Sequence, residues 1–366
     1  MQLPRSSFFK SLFIVIAVLS LLAGCSDDDN PAAPSRPWGW VPLGSGINEV
    51  VDVLGVHNGQ LIAGGWFTSA GGVSANRVAA WDGTNWTSLG TGIDGALVKA
   101  LIDYDDQLIA GGWFSSAGGA NINAIAAWDG TSWSPLGSGA IGGSLISLVY
   151  SLVIYEDRLI AGGLFNSIGG VSANNIAAWD GSSWAPLGTG LNLFVRGLVI
   201  YDGKLTAGGG TGGDYGETTA IHVWNGSSWE AIQGTLNGPV LCLTVFRNSL
   251  IVAGQFDSAG GVGARNIAAW DGLQWTALGA GVDSTVWGLA VFNNRLIAGG
   301  RFDTAGVVSA GRIAAWDGSS WTALGGGTNG EFVEGLGVYN NGLVAGGKFS
   351  AAGEVPANCI ASWVQQ

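Results

Sequence analysis

The stretch Leu108-Ile-Ala-Gly-Gly-Trp-Phe114, followed by a Gly-rich loop and then Ile125-Ala-Ala-Trp-Asp-Gly-Thr-Ser-Trp133, recurs in nearly the same words from one end of the chain to the other. The Trp that opens the Trp-Asp-Gly words, or closes the equivalent strand, falls at Trp81, Trp128, Trp179, Trp224, Trp270, Trp316 and Trp363, giving spacings of 47, 51, 45, 46, 46 and 47 residues. A period in this range belongs to propellers and solenoids, whose units are too small to bury a hydrophobic face without neighbours. Seven copies fill the chain, so the fold has to be built from seven equivalent parts.

Each copy reads as four short strands. A Trp and Leu-Gly (Trp86-Thr-Ser-Leu-Gly90) precede a loop and a segment of the form Val-x-small-Leu. This segment is apolar on both sides, as expected of a strand covered on both faces. Its opening Val recurs as Val51, Val98, Val149, Val195, Val240, Val286 and Val333, and its small position as Val53, Ala100, Ser151, Gly197, Cys242, Gly288 and Gly335. Such narrowness suits innermost strands crowded around an axis. Tight turns follow, such as Asn58-Gly59 and Asp202-Gly203, whose residues tolerate the positive φ of two-residue hairpins. Next comes Leu-Ile-Ala-Gly-Gly-x-Phe, whose Gly pair permits a bulge or close backbone approach. A third strand (Val78-Ala-Ala-Trp81) turns through Asp82-Gly83 into a fourth that starts at Trp86. Four antiparallel strands in about 46 residues make a propeller blade.

The two ends are complementary. Trp40-Val-Pro-Leu-Gly44 is a fourth strand with no unit before it, and the last unit stops after its third strand at Ile360-Ala-Ser-Trp363. The expected fold is therefore an all-β, seven-bladed propeller over residues 38–366, closed by an N-terminal strand that completes the last blade and leaves no long sheet edge exposed.

With these words in view, the repeat resembles the Kelch-type propeller, including the domain of that type in galactose oxidase. The fuller wording is similar to repeats of fungal cortical polarity markers and bacterial surface propellers. The Trp-Asp pair also resembles WD repeats, but the Gly-His that starts those repeats is missing. Copy four departs most, since Gly208 to Thr218 replaces the usual Phe and Gly-rich loop. Copper chemistry of the galactose-oxidase kind needs clustered His and Tyr ligands, and this chain has two His in all; neither cofactor nor metal is expected.

Residues 1–24 read as a signal peptide: Arg5 and Lys10 precede Leu12 to Gly24, an apolar run shorter than the roughly 20 residues that span a bilayer. The run closes on Leu22-Ala-Gly-Cys25, which resembles the bacterial lipobox and implies lipidation of Cys25. Residues 25–37 read as a disordered tether, polar and broken by three prolines. Ser26, rather than Asp, follows the Cys; by resemblance to other lipoproteins this favours the outer membrane or cell surface. The remaining thiols, Cys242 and Cys359, read as two small buried residues rather than a bridge. A net charge of -12 and the absence of a basic run beyond residue 37 argue against nucleic acid as a partner.

The repeated Asp82, Asp129, Asp180, Asp271 and Asp317, with Asn225 in copy four, are turn residues that bond their own backbone. His57 and His222 read as structural. Two positions vary inside the repeated frame. After the opening Val stand Asp52, Lys99, Tyr150, Arg196, Leu241, Trp287 and Glu334; after Gly-Gly stand Trp66, Trp113, Leu164, Gly210, Gln255, Arg301 and Lys348. Both are expected near the axis, on the face bearing the loops between strands four and one and between strands two and three. Aromatic rings for stacking and charges for orientation suit a glycan or protein ligand, at Asp52, Trp66, Lys99, Trp113, Tyr150, Arg196, Trp287, Arg301, Glu334 and Lys348. The competing expectations are that neighbours pair, as Asp52 with Lys99, and that the Trp rings fill space between blades. The function expected is a lipid-anchored binding or scaffolding module of the cell envelope, with no catalytic residue assigned. The alternative is a carbohydrate-active enzyme using Asp52 and Glu334, a reading that fails if their carboxyls lie beyond about 10 Å or turn between blades.

Overall fold

The computed structural model describes residues 37–142, 147–211 and 219–366. The expectations for the signal peptide, Cys25 and the tether, and most of the copy-four loop, lie outside these residues. The described chain forms seven antiparallel blade sheets of the expected plan, each with four strands, blade two also pairing the short strand Ala120–Asn121 with its second strand. In blade one the strands are Val50–His57, Gln60–Trp66, Val78–Trp81 and Trp86–Ser88, hydrogen-bonded in that order. Each of the next five blades repeats this order. Blade seven has Phe332–Tyr339, Gly342–Lys348 and Ile360–Gln365, and its outer strand is Trp38–Pro42, paired antiparallel with Ile360–Gln365.

The core lies between blades. Seven apolar clusters each join residues of two consecutive blades, among them one joining blades six and seven through Ile297 and Leu343 and one joining blades seven and one through Val344 and Leu61. The sheets therefore close into a ring, with first strands innermost. The fourth-strand Trp locks each seam: its indole N–H donates to a backbone carbonyl of the preceding blade, usually that of the Leu before Leu-Gly's glycine. Trp86 donates to Leu43 O (2.9 Å), Trp133 to Leu89 O (3.0 Å), and Trp40 to Leu324 O (3.0 Å). Its ring also packs on the third-strand Trp of its own blade, as Trp81 and Trp86 do with centroids 5.3 Å apart.

Asp-Gly turns form as expected. Asp82 Oδ1 accepts the N–H groups of Thr84 and Asn85 at 2.7 Å each. These bonds hold its carboxyl below the usual range. At the first hairpin, Asn58 takes a φ of 48° and Gly59 one of 74°. Hairpins and Asp-Gly turns share one face of the ring, where Tyr201 of blade four donates to Trp270 O at the end of a blade-five strand (3.3 Å). The other face carries the loops between strands four and one and between strands two and three. There Asn48 Oδ1 accepts from the N–H groups of Thr68 and Ser69 (3.1 and 3.0 Å), clamping one loop to the other. Asn237, Asp283 and Asn329 repeat the clamp in blades five, six and seven. The thiols are unbridged; Cys242 lies in an inner strand, and Cys359 sits one residue before a strand, in a left-handed conformation.

Candidate ligand face

The variable residue after the opening Val has a structural reason to differ. In all seven blades the first two strands slip register there: Val51 pairs with Gly65 and Val53 with Gly64, leaving Asp52 as the extra residue of a β-bulge. Lys99, Tyr150, Arg196, Leu241, Trp287 and Glu334 occupy the same bulge. A bulged residue leaves the ladder and is re-aimed, which frees its identity from the packing that fixes its neighbours. Of the glycine pair opposite, the second makes the bulge possible and the first makes room for the next blade. A Cβ on Gly65 would fall on Val50 O, and one on Gly64 would come within 2.8 Å of Val98 Cγ1 in the next blade.

Three bulge residues converge. Lys99 Nζ lies 2.9 Å from Asp52 Oδ1 and 2.6 Å from Glu334 Oε1, so one ammonium ties blades one, two and seven. The pairing of Asp52 with Lys99 expected between adjacent blades is present, with Glu334 as a third member. Burial lowers the Lys99 pKa, but the charges of Glu334 and Asp52 outweigh it and hold it above the ordinary lysine range. Burial is also the largest influence on Glu334; opposed by Lys99 and aided by the Asp52 charge, it pushes the carboxyl up to about 7. The shared ammonium keeps both carboxylates well inside the separation at which the enzyme alternative fails, yet it also occupies the oxygens they turn toward each other.

Tyr150, Arg196 and Trp287, in the bulges of blades three, four and six, make ring contacts. The Arg196 guanidinium lies 4.7 Å from the centre of the Tyr150 ring. Arg301 stands 5.7 Å from the Trp287 ring, so the two variable positions of blade six meet, and Trp287 packs edge-on against Phe332 at 4.7 Å. On the rim, Lys348 Nζ pairs with Glu331 Oε1 at 2.8 Å. Trp66 and Trp113, at equivalent positions in blades one and two, are 59% and 43% exposed, so these rings do not fill space between blades. Between blades seven and one a cleft of about 680 Å³ opens, lined by Glu49, Glu331, Lys348 and Phe349 among others.

Neither His belongs to this face's chemistry. His57 Nδ1 bonds Asp103 Oδ2 (2.9 Å) across blades one and two, a structural role. His222 lies in the third strand of blade four, its pKa lowered by burial. Among the described residues no group of three or more His, Cys, Asp or Glu could hold a metal ion.

A family model described as a beta-propeller domain of unknown function, DUF5122, matches residues 58–79, the hairpin and second strand of blade one and the loop beyond. No curated protein matches the chain. Among solved structures, the WD40 beta propeller domain of Doa1 aligns with a TM-score of 0.55 at 14% identity, covering 90% of this chain and 98% of that one. The computationally designed Ika8 protein aligns at 0.53 and 15% identity, covering 90% and 99%. The chain folds as a β-propeller. At such identities the likeness concerns the fold alone, and a propeller is in general a platform for binding or scaffolding.

One residue of the propeller's loop face escaped sequence reasoning. Arg77 bonds through its backbone to the residues on either side of Trp66: its carbonyl accepts Gly65 N–H (3.0 Å) and its N–H donates to Phe67 O (2.9 Å). The signal was present, because Arg77 and Arg312 hold the same repeat position while Thr68 stands where Asp303 accompanies the second.

Proposed function

We propose that this chain is a Kelch-like propeller that binds a glycan or protein ligand on its loop face, held at the bacterial envelope by a lipid on Cys25. The observation that carries the reading is the pair of exposed indoles at equivalent positions of consecutive blades. Five other blades place Leu164, Gly210, Gln255, Arg301 and Lys348 there, so the frame does not demand an aromatic. Exposed Trp at both positions is costly to keep in water without a use, and a flat ring offers a sugar or peptide a stacking surface.

The chain enters the ring at Pro37 and Trp38, beside Gln365 and Gln366 on the hairpin face, opposite the indoles. Catalysis by Asp52 and Glu334 is the weaker reading, because Lys99 engages both carboxylates.

Replacing Trp66 and Trp113 together with Gln, which blade five carries as Gln255, tests the reading. A glycan array and pull-down on the wild-type body identifies what binds; the double variant then binds about five- to a hundred-fold more weakly per folded molecule, with an unchanged melting curve. Unchanged affinity removes the binding face from these residues. Separately, Cys25→Ser releases the protein from membranes in detergent-free fractionation, and its retention there places the anchor elsewhere.

A further inference from the structure

Resting on the glycan-binding reading of the loop face, we infer that the ligand is an acidic glycan, its sugar rings stacked on Trp66 and Trp113 and its carboxylate or sulfate held by Arg77. The residue just before the third strand takes a left-handed conformation in six blades: Arg77, Ala124, Asn175, Asn266, Arg312 and Cys359 have φ between 60° and 74°. Where that residue is polar, its side chain normally ties its blade to the next. Asn175 Nδ2 donates to Leu191 O and Asn266 Nδ2 to Val282 O, each at 2.9 Å. Arg312 Nε reaches Gly330 O (3.1 Å) and Glu331 O (3.2 Å), and its Nη1 pairs with Asp303.

Arg77 is the exception. Among the described residues its guanidinium makes no hydrogen bond or ion pair, and its Nε is buried without a partner. The carboxylate that completes Arg312 is missing, since Thr68 stands in place of Asp303. A guanidinium stays charged and offers five donors in a planar fork; here one of them, the Nε–H, is buried with no acceptor, and that orphaned donor is costly. That fork matches the paired oxygens of a carboxylate or sulfate. The backbone bonds to Gly65 and Phe67 place Arg77 beside Trp66, and Trp113 holds the equivalent position of the next blade. The residue that carries the orphaned donor is thus the backbone neighbour of one exposed indole, one blade away from the other. The net charge of -12 gives the chain no general attraction for polyanions, so a preference for one has to come from a local site.

The test measures binding of the soluble body to polygalacturonate and to dextran sulfate, each beside its neutral counterpart, carboxyl-reduced polygalacturonate and unmodified dextran. At low salt at least one polyanion binds about tenfold or more tightly than its neutral counterpart, and the pair that shows this tells carboxylate from sulfate. Arg77→Gln abolishes that preference; Arg312→Gln, whose cation is already satisfied within the protein, keeps it. Melting curves on the same samples normalise affinity to folded molecules. If neutral and charged polymers bind equally, or if Arg77→Gln leaves the preference intact, the inference falls while the glycan reading stands. If none of the four binds and the array shows only protein ligands, both fall.

Discussion

At the scale of single residues, the side chains that make this propeller individual sit where the ladder is broken. Asp52, Lys99 and Glu334 come from blades one, two and seven, and each occupies the bulge that its neighbours fill with Tyr, Arg, Leu or Trp. Their ion pairs are the part-buried kind in which losing one partner costs more than the pair contributes. Protons act on this group in a definite direction. With Glu334 pushed up to about 7 from an ordinary value near 4.5, the folded state holds a proton that the unfolded state has released throughout that interval. Lowering the pH from 7.5 to 5 therefore raises the stability contributed by Glu334, and raising it through 7 loses that contribution. Lys99 does not titrate in this window, since its upward shift begins above the ordinary lysine range. His222, lowered by burial, works in the opposite direction but is common to wild type and variant. Thermal melts at pH 5 and 7.5 should show the wild type gaining roughly 2 °C or more relative to Glu334→Gln on acidification. Parallel shifts in the two proteins would mean that Glu334 titrates as an ordinary carboxylate.

At the scale of elements, strands, hairpins and Asp-Gly turns were legible because local chemistry decides them. Asn58-Gly59 adopts the positive φ that its composition favours, and Asp82 caps its own turn through two backbone bonds. The Gly-Gly pair was legible in kind, since either a bulge or a close approach explains two adjacent glycines; the structure shows that the second serves the bulge and the first the neighbouring Val. Other features needed the third dimension. That Asp52 is the bulged residue follows from a register slip against a partner strand, and that Trp133 donates to Leu89 O follows from how far one blade stands from the next. Convergence of Lys99 on Glu334, 235 residues away, depends on closure of the whole ring. Arg77 was missed for a related reason: its importance lies in bonds it does not make, visible only beside Arg312 and Asp303.

At the scale of the molecule, closure makes every blade depend on both neighbours, and blade seven depends on residues from both ends of the chain. Trp38–Pro42 supplies its outer strand, pairing residue for residue with Ala361 to Gln365. Residues Trp38 to Gly44 also lock two seams. Trp40 donates to Leu324 O, tying blade seven to blade six, and Leu43 O accepts from Trp86, tying blade one to blade seven. Deleting Trp38 to Gly44 therefore removes a strand and both indole bonds at once, and it uncovers the edge of Ile360–Gln365 for pairing with other chains. Because stability in repeat proteins accumulates over neighbouring interfaces, loss at both seams of one blade reaches the remaining six. The expected result is one cooperative transition lowered by about 5 °C or more, with aggregation that rises with concentration. A synthetic Trp38–Gly44 peptide in excess should restore part of the loss by mass action, since it binds the folded ring and not the unfolded chain. Deleting only the residues upstream of Pro37 provides the control and should leave the melt unchanged. If the Trp38–Gly44 deletion melts at the wild-type temperature and ignores the peptide, blade seven holds both seams without its outer strand, and the closure seen here adds nothing to the stability of the ring.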